Sequence, residues 1–185
     1  MRNFELALMA LQKGEIIAYP TEGVFGLGCD PDNFQAIRKL LRLKQRPIEK
    51  GLILVAASYQ QLLPYINESQ LNQEQLKQIY DSWPGPVTWV MPPSILVSTY
   101  LSGKFSSIAV RVTDHPVAQI MCYVFGKPLV STSANLSGES PCTSSSEVKR
   151  QFGDKSVTIL EGKVGNPGKI TTIRDAKTAK ILRVC

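Results

Sequence analysis

Apolar residues at Phe4, Leu8 and Leu11 recur at helical spacing, and Gly14 supplies a natural stop. Glu15 to Tyr19 then reads as a strand and Pro20 to Gly28 as a glycine-punctuated loop. Asn33 can cap a helix whose apolar positions are Phe34, Ile37, Leu40 and Leu41. Pro47 should end it, because the residue before a proline is pushed towards an extended conformation. Leu52 to Ala56 is a continuous apolar run, as in a strand covered on both faces. Asn67 or Ser69 opens a more polar helix reaching about Tyr80, and residues 87–91 and 108–112 read as strands. Residues 116–125 read as a helix with proline in its tolerated first turn, and 129–131 as a strand stub. Ser144 or Ser145 caps a helix through Gln151, with Gly153 after it. Residues 157–160, 170–174 and 181–184 are candidate strands. This mixture predicts an α/β (α+β-like) class with one twisted mixed sheet. No fixed-period repeat or long linker interrupts it, so residues 1–185 are expected to form a single domain.

Composition narrows the partners. The 185 residues are 43% hydrophobic and 19% charged, an ordinary globular balance rather than a disordered one. A net charge of +6 suits an anionic partner such as phosphate, nucleotide or nucleic acid, or serves solubility alone. No stretch long enough to span a membrane is free of charged and polar residues. The N-terminus reads as an amphipathic helix start, without the apolar region and cleavage site of a signal peptide. Cys29, Cys122, Cys142 and Cys185 stand far apart, and His115 is the only histidine. A structural zinc site is therefore not expected, and reduced thiols in a cytoplasmic protein are.

The densest chemistry lies in Pro128–Gly138, where a short apolar run breaks into Ser-Thr-Ser-Ala-Asn-Leu-Ser-Gly. That loop presents many neutral hydrogen-bond donors at one point and suits an oxyanion. The positive charge stands elsewhere, in Lys44-Gln-Arg46-Pro47, Lys50 and Arg111. If the chain runs extended into Pro47, Lys44 and Arg46 project to one side and repel unless an anion sits between them. The other reading is a solvated basic helix end. Arg111 lies inside the apolar strand 108–112, where a buried arginine needs a partner. A substrate carboxylate or phosphate is one candidate, a protein carboxylate the other.

Other motifs weigh less. Gly23, Gly26 and Gly28 follow a strand but lack dinucleotide-fingerprint order, and read as a turn needing glycine dihedrals. Gly162–Lys169 has one residue too many for a phosphate-binding P-loop, and Ile170 stands where its Ser or Thr belongs. Asp114 and His115 with Ser131 or Ser133 make a poor hydrolase triad, since adjacent strand side chains point to opposite faces. Trp83 and Trp89 stack a base or, the favoured reading, pack in the core.

Together these pieces resemble the YrdC/TsaC family of threonylcarbamoyl-AMP synthases. The matching segments are Tyr19–Gly28, Leu43–Pro47, Trp83–Thr88, Ala109–Val112 with His115-Pro116, and Ser131–Gly138, in the family's order. The resemblance implies a twisted α/β domain with a basic central cavity, in the short bacterial form. It implies a nucleotidyltransferase reaction of L-threonine, bicarbonate (or CO2) and ATP, giving threonylcarbamoyl-AMP and pyrophosphate. That product serves the t6A modification of adenosine 37 in tRNA, through a separate complex (TsaD, TsaB, TsaE). The family's Lys-x-Arg and Ser-x-Asn tetrad falls on Lys44, Arg46, Ser133 and Asn135. By similarity Lys50, Ser107, Ser131, Pro141 and Arg183 line the ATP pocket with them, and Thr21, Arg111, Ser131 and Thr171 lie near threonine. Mg2+ is expected on the triphosphate with few or no protein ligands, and no organic cofactor is implied.

The chain departs from the family pattern at Gly23, at Lys50–Val55 and at Val112-Thr113. Where many relatives carry a second threonine, Gly23 stands, and Val55 replaces a histidine. The Ser/Pro-rich stretch 137–146 is a candidate lid. The alternative function is a non-catalytic RNA-binding module using the same basic cavity, although no aromatic RNA-recognition strand is present. A hydrolase relying on Ser133 and His115 is the third option.

Overall fold

The computed structural model describes residues 2–153, 157–166 and 171–184. Helix α1 (Arg2–Gln12) leads to strands β1 (Ile17–Pro20) and β2 (Phe25–Cys29), then to helix α2 (Phe34–Leu43). Strand β3 (Ile53–Ala56), helices α3 (Tyr59–Leu62) and α4 (Gln73–Asp81), and strand β4 (Val87–Met91) follow. Helix α5 (Thr99–Ser102), strand β5 (Ile108–Val112), helix α6 (Pro116–Phe125) and strand β6 (Leu129–Ser133) come next. Helix α7 (Ser145–Phe152) and strands β7 (Thr158–Ile159), β8 (Thr172–Asp175) and β9 (Ile181–Arg183) complete the described chain. The strands form one mixed sheet in the order β7-β1-β2-β6-β3-β5-β4-β8-β9.

Local chemistry explains most boundaries. The Asn33 side chain accepts from the backbone N–H groups of Gln35 and Ala36 and so starts α2. Ser144 accepts from the Glu147 N–H and starts α7. The predicted polar helix divides in two. Asn67 caps only a single 3-10 turn (Glu68–Gln70), and the α-helix starts at Asn72 in a reciprocal capping box with Gln75.

Strand β2 corrects the expected glycine loop. Phe25, Leu27 and Cys29 alternate with Gly26 and Gly28, a period of two that the glycines disguised. Tyr19 stands opposite Gly26 in the ladder. A Cβ on Gly28 would lie 2.8 Å from Tyr19 Cε1 and 2.7 Å from the Val130 carbonyl oxygen. Glycine is therefore needed here for space, not for turn dihedrals.

The sheet has two unequal faces. On one, Phe25, Leu27, Leu54, Val110 and Val130 pack with Ile37 and Leu40 of α2 and with Val148 of α7. On the other, Ile17, Tyr19, Val55 and Leu129 pack under Leu11 of α1 and Ala118, Met121 and Cys122 of α6. These two helices cover only part of their face. Alternation along the ladders places Gly26, Ile53, Ala109, Ser131 and Ser133 on the same face. Those positions form the floor of the site.

Candidate functional site

The site begins where α2 ends. Gln45 adopts φ 51, the left-handed region, and two bonds close the helix: Gln45 N–H to the Arg42 carbonyl at 3.0 Å and Arg46 N–H to the Leu41 carbonyl at 2.9 Å. This Schellman turn replaces the extended run expected from Lys44 to Pro47, and the helix stops at Leu43, well before the proline. Lys44 consequently turns inward and is only 2% exposed. Its ammonium donates to the carbonyls of Ser133 and Asn135, the latter at 2.6 Å, with Asn135 Oδ1 at 3.5 Å. In return the Ser137 N–H and hydroxyl both donate to the Lys44 carbonyl at 3.0 Å. The Ser133 hydroxyl donates to Asn135 Oδ1 at 2.6 Å. The basic turn and the Ser-x-Asn turn are thus one hydrogen-bonded unit, although 89 positions separate Lys44 from Ser133. Burial, and then the Arg46 charge, push the Lys44 ammonium down to about 8.

Arg46 Nε and Nη2 donate to the Gly51 carbonyl at 3.3 and 2.9 Å. Gly51 is held by its neighbours: a Cβ there would lie 2.9 Å from the Ser102 carbonyl oxygen, and its φ is 61. Arg183 donates to the Thr171 carbonyl, at 2.8 Å from Nη2. Burial lowers both guanidinium groups from their ordinary range, and for Arg183 the Arg111 charge adds to it.

Two adjoining cavities open beside these groups. One of ≈ 150 Å³ is lined by Thr21, Arg111, Ser131, Ser133 and Thr171 among others. One of ≈ 430 Å³ includes Lys50, Phe105, Ser107, Asp175 and Leu182. Arg46, Leu52, Ile53 and Arg183 belong to the walls of both. The residues proposed near threonine therefore gather in the smaller space. Of those proposed for ATP, Ser131 and Ser133 line the smaller cavity, Lys50 and Ser107 the larger, and Arg46 and Arg183 both. Lys44, Asn135 and Pro141 line neither: Lys44 and Asn135 brace the turn behind Ser133. Pro141 precedes Cys142, whose backbone bonds Phe25 and Ala134 at 2.7 and 2.8 Å. That pairing and the Ser137–Lys44 bonds anchor the segment 137–146 on both sides of its exposed tip.

Arg111 is 4% exposed and already has a protein partner. Its Nη2 lies 3.1 Å from Glu22 Oε2, and its Nη1 donates to Thr88 Oγ1 at 3.2 Å and to Thr171 Oγ1 at 3.1 Å. Glu22 also accepts from Thr113 Oγ1 at 2.7 Å. Sequence reasoning passed over Glu22, because its partners lie 89 and 91 positions away. It also missed Tyr19, whose phenol donates to Ser131 Oγ at 2.9 Å. The alternation of glycines opposite Tyr19 was the signal for it.

The remaining motifs resolve as structure. His115 is buried at the start of α6 with Nε2 3.0 Å from the Lys163 carbonyl oxygen. Trp89 is buried in the core, and the partly buried Trp83 packs against that core beside Tyr59. Of the Gly162–Lys169 loop, Gly165 N–H bonds the Thr21 carbonyl at 3.1 Å, and residues 167–169 lie outside the described residues, as does the predicted strand start at Ile170. Cys29, Cys122 and Cys142 are buried and unpaired, while Cys185 is outside the described residues. Among the described residues no three His, Cys, Asp or Glu side chains cluster to hold a metal. Asp175 is occupied by its own turn, accepting from Lys177 and Thr178, and Glu22 by Arg111 and Thr113. No helix among the described residues is long and apolar enough to cross a membrane.

A protein of Vibrio campbellii named threonylcarbamoyl-AMP synthase is 66% identical over 183 residues, covering 99% of both chains. The crystal structure of P. abyssi Sua5 complexed with L-threonine superposes with a TM-score of 0.86 at 31% identity, covering 93% of this chain. This chain spans 50% of that Sua5 chain. E. coli YciO superposes with a TM-score of 0.84 at 26% identity, over 98% of this chain and 88% of its own. A family model, Sua5_yciO_yrdC, described as telomere recombination, matches residues 9–185. The chain belongs to the Sua5/YciO/YrdC family.

Proposed function

We propose that this protein is a threonylcarbamoyl-AMP synthase acting by adenylyl transfer from ATP to N-carboxylated L-threonine. The observation that carries this reading is the pair of adjoining cavities with Arg46 and Arg183 in their common wall. The amino acid occupies the smaller space and the nucleoside the larger. The α-phosphate then lies at the seam, where two guanidinium groups meet the charge that builds as pyrophosphate leaves. A carbamate oxygen attacks phosphorus, and the bond to the bridging oxygen of pyrophosphate breaks. Ser133 is held beside this seam by Lys44 and Asn135, so its position is set before substrate arrives.

Arg111 serves the amino-acid side of the reaction. Its guanidinium, paired with Glu22 and donating to Thr171, sits in the wall where a substrate carboxylate is expected. Magnesium would ride on the triphosphate, and the carbamate forms from neutral amine and CO2 without a dedicated protein base. The product is unstable, which fits hand-off to a threonylcarbamoyl transferase complex (TsaD, TsaB, TsaE) in the cytoplasm.

The test is pyrophosphate release from ATP by the purified chain. Release that requires both L-threonine and bicarbonate is expected. Salt-sensitive RNA binding without such release would instead favour the RNA-binding module.

A further inference from the structure

Tyr19 is fully buried among apolar residues, yet it ends in a hydroxyl that reaches the substrate side of the sheet. The strand opposite is built to admit its ring. Gly26 and Gly28 leave the ring its place, and a Cβ on either would lie within 3.4 Å of a Tyr19 ring carbon. The phenol finds one partner, Ser131 Oγ at 2.9 Å, and Ser131 lines the smaller cavity beside Arg111 and Thr171. Burial, reinforced by the Cys122 thiol, pushes the phenol far above its ordinary value, so it keeps its proton at any working pH.

A hydroxyl has one hydrogen to give and lone pairs to receive. The buried phenol hydrogen has no other acceptor among the described residues, so it goes to Ser131 Oγ. Ser131 is thereby held as acceptor on its inner side. Its own hydrogen is left free to point into the cavity that Ser131 lines.

We infer that Tyr19 is a positioning residue that fixes the Ser131 hydroxyl as a hydrogen-bond donor, and so selects an anionic oxygen of the amino-acid substrate at that point. This rests on the adenylyl-transfer reading for the identity of the substrate, and deepens it. A donor aimed at the carboxylate of L-threonine strengthens with the charge it meets, whereas a freely rotating hydroxyl also accepts from an amine or amide N–H. Tyr19 touches no substrate itself and acts through the direction of one proton.

The experiment compares the native chain with Tyr19→Phe, Ser131→Ala and the double variant. Each is assayed for pyrophosphate release with L-threonine and with L-threoninamide, and titrated calorimetrically with L-threonine. Tyr19→Phe should raise the KM for L-threonine about three- to tenfold, the range of one hydrogen bond. It should leave the KM for ATP unmoved and reduce the preference for threonine over its amide by a similar factor. The losses from Tyr19→Phe and Ser131→Ala should overlap rather than multiply. An unchanged threonine KM and unchanged amide discrimination in Tyr19→Phe would overturn the inference, as would a fall in kcat alone. If Tyr19→Phe does not fold, Ser131→Ala in the otherwise native chain decides: an unmoved threonine KM refutes a donor at that position. Failure of the native chain to release pyrophosphate would count against the proposed reaction instead, and the calorimetric affinity ratio would still judge Tyr19.

Discussion

Along β6, Leu129 is fully buried with Met121 and Cys122 of α6, whereas Ser131 and Ser133, two and four residues on, line the smaller cavity. Strand β3 runs the opposite way beside it and repeats the contrast in reverse, with Ile53 in the cavity wall and Val55 in the core. One face of one sheet is therefore part core, packed with α1 and α6, and part site. The covered half holds the fold together, since burying each large aliphatic side chain contributes about 1.5–3 kcal/mol. The open half is rich in polar groups whose mutual hydrogen bonds contribute about 0.5–1.5 kcal/mol each and can be exchanged for bonds to a ligand. Tyr19 crosses the line, with its ring in the first half and its hydroxyl in the second.

Substitutions on either side of that boundary should separate stability from activity. The largest effect is expected from Leu129→Asp, which places an unpaired carboxylate in the helix-covered half, at a fully buried position. Loss of a buried leucine costs about 2–5 kcal/mol before the charge is counted, against a total stability of about 5–15 kcal/mol. Circular dichroism should show an unfolded or aggregated chain; a native spectrum with normal activity would erase the distinction between the halves. Next comes Arg46→Ala in the cavity seam, where the fold should survive and pyrophosphate release should fall by about 10²-fold or more. Full activity in that variant would remove Arg46 from the phosphate site.

A smaller, graded effect is expected from pH. Lys44 in the folded chain loses its proton at about 8 because it is buried beside Arg46, whereas an unfolded lysine keeps it to 10.5. Above about 8 the brace on Ser133 and Asn135 loses a donor and a charge, so kcat/KM for ATP should decline. Stability moves the other way: between the two values the unfolded chain binds more protons, so the Lys44 contribution to stability rises with pH. Bound triphosphate favours the charged form and should carry the kcat limb to higher pH than the kcat/KM limb. A flat profile for the native chain between pH 7 and 9 would contradict the charge assigned to Lys44.

Much of the architecture was legible because it is local. Strands β4 and β5 and helix α6 fall on the predicted residues, since short apolar runs and a first-turn proline act within their own segments. Strand β2 was not legible as a strand, because the reason for its glycines is a tyrosine on its neighbour. The turn after α2 misled for a related reason: nothing nearby in sequence announces that Gln45 adopts a left-handed conformation. The resemblance pointed mostly to residues that the fold brings to adjoining cavities. It did not distinguish the groups facing those cavities, such as Arg46 and Ser131, from Lys44, which supports them from behind.

The order of residues was enough to specify most of the helices and strands, which stripes are apolar, and that cations and hydroxyls are concentrated in a few places. Those properties follow from backbone preference and side-chain period within a turn or two of chain. Only the folded chain decided that Glu22 pairs with Arg111, that Lys44 is spent on carbonyls, and that the Tyr19 hydroxyl meets Ser131. Each is a contact between segments distant in sequence, and its direction depends on which sheet face a side chain meets and on how far the covering helices extend.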